Sequence, residues 1–178
     1  TFLGSFYSGE PDGELGSVEG GSFSLLIENS TVDIPILDVS YASAINVAGP
    51  GFNGASVAAP DFNLTITGSQ VDIGDASINL DAQGGAGGQG TGGVIELAAR
   101  GDLTLNSLIA RARGIGGIGG SGAPGAQGGL GGVGTGGTAA LDIAGGASVT
   151  FSLGNIDLDA DATGGRGGLG GSGDSVTP

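Results

Sequence analysis

The sequence predicts an all-β protein, a parallel β-solenoid (β-helix) with three short strands per coil and polyglycine-II-type excursions at one corner. Three features point there: ungapped internal repeats, short apolar runs that alternate with period 2, and glycine tracts in which the other residues recur at every third position.

The repeats come first. Phe23-Ser-Leu-Leu-Ile-Glu-Asn-Ser-Thr-Val-Asp-Ile34 aligns without a gap on Phe62-Asn-Leu-Thr-Ile-Thr-Gly-Ser-Gln-Val-Asp-Ile73, 39 residues on. Thr91-Gly-Gly ahead of an apolar strand ending at Ala99 matches Thr135-Gly-Gly ahead of one ending at Ala144, 44 residues on. With a spacing of about 33 between these two pairs, four related units result, and self-similarity at such periods marks a stacked architecture. Each unit holds three alternating runs, such as Val94 to Ala99, Leu103 to Leu105 and Leu108 to Ala112, separated by Gly, Asn, Asp or Ser. Period-2 alternation is the strand signature. Runs this short gain stability when each pairs in parallel with its equivalent one unit away, burying Leu, Ile, Val and Ala in ladders. No helix is expected, because glycine is frequent throughout and no 3.6-residue period extends over ten residues.

The unequal spacing places insertions at one corner of the coil. These are Gly49–Ala55, Gly84–Gly93, the segment 114–137 and a tract that begins at Gly164. In Gly114-Ile-Gly-Gly-Ile-Gly-Gly-Ser-Gly122 the side chains fall at every third position, as do Leu130 and Val133 beyond Pro124. That is the period of a polyproline-II helix, and glycine at two positions in three lets such helices approach closely enough to bond backbone to backbone. Residues 114–137 therefore read as a hairpin of two such helices, each about 25 to 30 Å long at ~3.1 Å per residue, with the tracts at 84 and 164 beside it. The competing reading of this composition is a flexible linker. Ile, Leu and Val at strict period 3 have no purpose in a linker. Collagen is disfavoured by a total of six prolines.

The expected organisation is an N-terminal cap or donated segment at 1–22, coils over 23–163 with glycine-rich insertions at about 48–60, 84–93 and 114–137, and a glycine-rich tract at 164–178. Within the first segment Phe2, Leu3, Phe6 and Tyr7 are candidate assembly residues, as a cap over an open coil end or a strand given to a neighbour. The sequence starts at Thr1 rather than Met, so processing or excision is expected.

Composition narrows the chemistry. Of 178 residues 43 are Gly, none is Cys, His, Lys, Met or Trp, and the four cations, all Arg, face 18 carboxylates for a net charge of −14. Without His and Cys there is no Ser/His/Asp or Cys/His centre, and without Lys no Schiff base. Paired carboxylates could in principle hydrolyse glycosides, but aromatic platforms for sugar are scarce, and a non-enzyme is expected. The acidic balance disfavours nucleic acid and anionic membranes as partners. No run of 18 apolar residues could span a membrane as a helix.

Two acidic features deserve a test. Asp157, Asp159 and Asp161 alternate on one outward strand face about 7 Å apart and resemble a calcium ligand series, though the spacing is wide for one ion unless other loops contribute oxygens. Asp72, Asp75 and Asp81 form a second cluster. Aligned coils would place Asp81 and Gln83 next to Arg111 and Arg113, and these next to Asp159 and Asp161, forming a charge ladder that relieves like-charge stacking; this reading is preferred to a calcium site. No organic cofactor is implied. Gly170-Gly-Ser-Gly-Asp174 comes near the repeat-in-toxin calcium motif, but Asp174 falls one position early and no tandem copy follows. The Gly-Gly-X-Gly-Gly strings also meet a dinucleotide fingerprint superficially, without the helix or βαβ unit it requires.

The order Thr-Gly-Gly, alternating strand, Gly-Asp-Leu-Thr-Leu, second strand and Gly-Gly-X tract over 91–134, with a looser copy from 135, resembles the repeat regions of proteobacterial β-strand-repeat exoproteins, including filamentous-haemagglutinin-like surface adhesins. The resemblance covers roughly residues 62 to 175. It implies secretion, a parallel β-helix shaft at the cell surface, and a role in attachment, biofilm or fibre formation through self-association or neighbouring repeats, with no catalytic residue to carry over. The alternative function is a recognition module that binds ice or polysaccharide through a flat solenoid or polyglycine face.

Overall fold

The computed structural model describes residues 17–41, 54–122 and 124–169. Among them every element is a β-strand and every strand pairing is parallel. The strands fall into four layers in chain order. The first holds β1 (Ser17–Glu19), β2 (Ser22–Glu28) and β3 (Thr31–Ser40). The second holds β4 (Ser56–Ala58), β5 (Asp61–Asn79) and β6 (Ala82–Gln83), and the third β7 (Gly90–Thr91), β8 (Val94–Arg111) and β9 (Gly114–Ile115). The fourth holds β10 (Gly134–Thr135), β11 (Thr138–Ile143), β12 (Val149–Asp159) and β13 (Ala162–Thr163). Each layer pairs with the one before it, giving three parallel sheets in a solenoid-like stack: β1-β4-β7-β10, the large sheet of β2 and β3 on β5, β5 on β8, and β8 on β11 and β12, and β6-β9-β13.

The register realises the repeat alignment. Phe23 pairs with Phe62 and Ile34 with Ile73, and Thr135 pairs with Thr91. The fourth-layer strand ends at Ile143, opposite Ala99.

The three runs of each unit are walls around one core, although the hydrogen-bonded strand runs through their junctions. In β5 the buried positions are Phe62, Leu64 and Ile66, then Val71 and Ile73, then Ala76 and Ile78. Their parity switches twice, at Gly68-Ser69 and at Gly74-Asp75. Two successive non-alternating residues turn the chain so that each new run again faces inward. β8 repeats only the second switch, between Leu105 and Leu108; its first corner is one residue shorter at Gly101, so Ile95, Leu97, Ala99, Leu103 and Leu105 keep one parity. In the first two layers the first corner carries a left-handed residue. Asn29 (φ 47°) supplies it in the first layer and Gly68 (φ 57°) in the second, Asn and Gly being the residues that adopt this conformation most readily. Ser69, beside it, is buried. Its hydroxyl accepts from the Ser30 N–H (3.1 Å) and donates to the Thr67 carbonyl (3.0 Å), so the buried hydroxyl is satisfied at the corner.

The glycine tracts are packed together with regular backbone bonding. Gly116, Gly119 and Gly122 donate to the carbonyls of Thr163, Arg166 and Leu169 at 2.8–2.9 Å. Gly129 and Gly132 donate to Gly120 and Gly117, and Gly165 and Gly168 donate to Gly132 and Gly129, all at 2.8 Å. Donors recur at every third residue. Segments 114–122 and 128–134 thus run antiparallel as the two arms of a hairpin around a turn that includes Gly125 (φ 77°). The shorter tracts lie alongside: Gly84 and Gly87 donate to Ile115 and Ile118, and Gly117 donates to Gly88. The closeness explains the composition. A Cβ at Gly117 would overlap the Gly85 carbonyl, one at Gly132 that of Gly88, and one at Gly165 that of Gly117.

Burial is greatest in the middle of the stack. Phe62, Ile73, Ile78, Ile95, Leu105 and Leu108 are fully enclosed in the second and third layers. Toward the ends the same ladders are less enclosed: Leu25, Val32, Ile34, Leu37 and Val39 of the first layer are half-buried, and Ile143, Ile156 and Leu158 of the fourth are exposed.

Candidate functional site

Three surfaces stand out: a charged wall, a polar groove and the two open ends. The charged wall draws its cations from the third layer. Arg113 grips Asp81 with Nη2 (2.5 Å) and Nε (3.0 Å) on one carboxylate oxygen, and its backbone N–H (2.9 Å) donates to the other. On its other side Arg113 Nε lies 3.7 Å from Asp159, and Arg111 reaches Asp157 at 3.4 Å. Arg100 pairs with Asp142 at 2.6 Å, a contact the sequence reading did not identify. The charge ladder therefore exists with a changed register: Arg111 lies opposite Asn79 and Asp159, while Asp81 belongs to Arg113. Asp161 acts on Arg113 through its charge.

Burial of Asp81 would raise its pKa, but the Arg113 side-chain and backbone hydrogen bonds, with the charges of Arg113 and Arg111, outweigh that and hold it below the usual carboxylate value. A carboxylate depressed in the folded state contributes stability that is present above its unfolded pKa and is lost as pH falls through the lower folded value. The pair is partly exposed and worth about 1 kcal/mol. Asp81→Asn is expected to lose that amount at neutral pH and nothing at pH 2, as measured by denaturant midpoints at the two pH values; an equal loss at both would show that the ion pair is not its source.

The calcium series fares differently. Asp157 and Asp159 are engaged by Arg111 and Arg113, and among the described residues no three acidic side chains converge as a metal site would need. Asp72 and Asp75 also separate from Asp81: Asp75 accepts from the Ser107 hydroxyl (2.7 Å), and Asp72 lies in the groove. Phe2, Leu3, Phe6, Tyr7 and the near-motif at Asp174 lie outside the described residues.

The groove, about 570 Å³, crosses all four layers along the second wall. Asp33, Asp72 and Asp102 line it with hydroxyls of Thr31, Thr104 and Thr150. No arginine pairs with these three carboxylates. The repeat alignment already contains its centre, since Asp33 and Asp72 occupy equivalent positions and are direct cross-strand partners. What the sequence did not signal is that the outward side chains of this short run line a groove across the four layers.

At the first-layer end, Phe23 stacks on Phe62 with ring centroids 5.6 Å apart and planes 14° from parallel. Beside them opens an apolar cavity of about 190 Å³ lined by Val39, Tyr41, Pro60 and Leu80. Burial raises the pKa of the Tyr41 phenol. The fourth-layer end presents the edges of β11 and β12, and an unpaired edge is a template for another strand.

Comparison with family models, with curated proteins and with solved structures returned no match. The functional reading therefore rests on these surfaces.

Proposed function

We propose that this chain is a non-enzymatic structural element of an extracellular bacterial fibre or adhesin: a β-solenoid shaft, stiffened at one corner by polyglycine-II tracts, that continues into neighbouring repeats or further copies. The observation that carries the reading is the form of the two ends. Among the described residues all strand pairing is parallel with one sense of succession, and the inward rows enclosed in the middle layers are half-buried in the first and exposed at Ile143, Ile156 and Leu158 in the fourth. Such a heterologous arrangement propagates as an open filament instead of closing on itself. The acidic surface supports a solvated, secreted location and disfavours nucleic acid.

Electron microscopy of the purified chain, with and without calcium, tests the proposal. Unbranched filaments with cross-β spacing of ~4.8 Å along their axis are expected. Dispersed particles in both conditions would sink self-assembly and leave a shaft within a longer chain. Filaments lost on chelation would revive a calcium role for Asp157, Asp159 and Asp161.

A second reading has one observation in its favour: the hydroxyl- and carboxylate-lined groove of Asp33, Asp72, Asp102 and Thr104 has the length and polarity to take an extended polysaccharide. Saturable binding of dispersed protein to immobilised polysaccharides would support it.

A further inference from the structure

The glycine tract of the fourth layer has the composition of an enclosed segment and the surroundings of an edge. β13 pairs with β9 as Ala162 with Gly114 and Thr163 with Ile115, and the tracts beyond keep that register, since the N–H groups of Gly116 and Gly119 donate to Thr163 and Arg166 at 2.8 Å. Gly164 and Gly167 are therefore the counterparts of Gly116 and Gly119, and Gly165 and Gly168 those of Gly117 and Gly120.

The counterparts sit in different surroundings. Gly116 and Gly119 are buried, and a Cβ on either would strike backbone of the return arm at Gly132 or Gly129 and of the fourth-layer tract at Gly165 or Gly168. Gly164 and Gly167 are exposed, and a Cβ there would come no nearer than 3.9 Å to the Gly132 carbonyl oxygen and 3.8 Å to that of Gly129, which is ordinary contact. Neither residue has a positive φ. Among the described residues, then, neither space nor conformation requires glycine at these two positions, although glycine carries the largest backbone entropy cost.

The backbone groups show the same asymmetry. In the third layer the N–H groups of Gly116 and Gly119 donate to the next tract, and the carbonyls of Gly117 and Gly120 accept from Gly132 and Gly129 at 2.8 Å. In the fourth, no bond from a described residue reaches the N–H of Gly164 or Gly167 or the carbonyl of Gly165 or Gly168. The tract thus presents two donors and two acceptors at three-residue spacing on a segment already held extended, and main-chain bonds to such an edge can bind a further extended segment. Sterics define that segment. Where tract 164–168 covers 114–122, a Cβ at Gly165 or Gly168 would overlap the Gly117 or Gly120 carbonyl, so whatever covers 164–168 in the same manner needs glycine at every third residue. The tracts 84–88, 114–122 and 128–134 are already bonded to one another.

We propose that the edge formed by Gly164, Gly165, Gly167 and Gly168 is a binding site for an extended Gly-Gly-X segment of another protein chain. The segment lies along it as tract 164–168 lies along 114–122, accepting from the Gly164 and Gly167 N–H groups. The site continues an interface that the molecule already uses between its third and fourth layers, and it operates whether or not the chain forms fibres.

Fluorescence anisotropy of a dye-labelled peptide with the sequence of residues 114–122, titrated with the whole chain, tests it. Binding should saturate and be nearly independent of salt, because the peptide has no charged side chain. Gly164→Ala/Gly167→Ala protein should keep the parent's urea midpoint, since the added methyl groups meet open space, and bind the peptide roughly tenfold or more weakly, the range for overpacking a close backbone contact. A peptide with Ala in place of Gly117 and Gly120 should lose affinity to the same degree. Absence of saturable binding, or equal binding by the parent and the double variant, would overturn the site and leave the fibre reading standing. Self-association of the unaltered protein that disperses in the double variant, seen by sedimentation velocity without peptide, would make a second copy the occupant and overturn the assignment to another chain.

Discussion

Gly117→Ala is expected to open the glycine bundle at a cost of about 3–5 kcal/mol, the sum of an overpacking penalty and two lost backbone bonds. The methyl group would be driven into the Gly85 carbonyl, a backbone atom that cannot move aside by rotating a side chain. The bonds at risk are Gly117 N–H to Gly88 (2.9 Å) and Gly132 N–H to the Gly117 carbonyl (2.8 Å). Gly120→Ala is the matched control. Nothing lies within 4 Å of its added Cβ, so it should fall within about 0.5 kcal/mol of the parent. Amide hydrogen exchange of residues 84–88, 114–122, 128–134 and 164–168 separates the cases: fast exchange throughout these tracts in Gly117→Ala, and parent-like protection in Gly120→Ala. Unprotected tracts in the parent itself would show that the period-3 segments do not hold together in solution.

The second large effect concerns position along the stack. Leu37, Ala76, Leu108 and Ile156 form one inward row, and Leu108 is fully buried whereas Ile156 is 51% exposed. Leu108→Ala should therefore cost about 2–5 kcal/mol, read as a drop in the urea midpoint. Ile156→Ala should cost about 1 kcal/mol or less in the monomer, since most of its surface already meets water. Equal costs at the two positions in dispersed protein would mean that the fourth layer is already covered.

Much of the architecture was legible because it is periodic. The gapless match of Phe23–Ile34 to Phe62–Ile73 became a register without correction, since nothing is inserted between those positions. The spacing of Ile115, Ile118, Leu130 and Val133 carried the hairpin of extended segments, since glycine at two positions in three leaves few ordered alternatives. Of these four side chains Ile115 is half-buried, and Ile118, Leu130 and Val133 are exposed.

The charge ladder was misplaced by two residues on its second-layer side only: Arg111 lies opposite Asp159 as expected, but Asp81 meets Arg113 in place of Arg111. The offset between the second and third layers falls from 33 to 32 across Gly68-Ser69. Between the third and fourth layers it grows from 44 to 46 and then 48, across Gly145-Gly146 and Gly154. Each change is a corner or bulge absorbing a residue or two, and one sequence cannot say which side of a strand has taken up the slack. The 32-residue offset that holds beyond Gly68-Ser69 sets Asp81 beside Arg113. The groove on the second wall was hidden because it depends on how outward side chains of four layers line up, which a single sequence does not show.

The backbone bonding of the glycine tracts also bears on how the molecule would carry a load. Hydrogen bonds between layers point along the stacking direction, so tension along that axis strains every bond of one interface together, and a sideways pull would break them one after another. The tracts place a further column of such bonds outside the apolar core, from Gly84 and Gly87 to the hairpin and on to Gly165 and Gly168. Tension is thereby shared between two parallel columns, one shielded by packed side chains and one built from backbone alone. A stack of this kind would resist stretching at its glycine corner without needing a single disulfide.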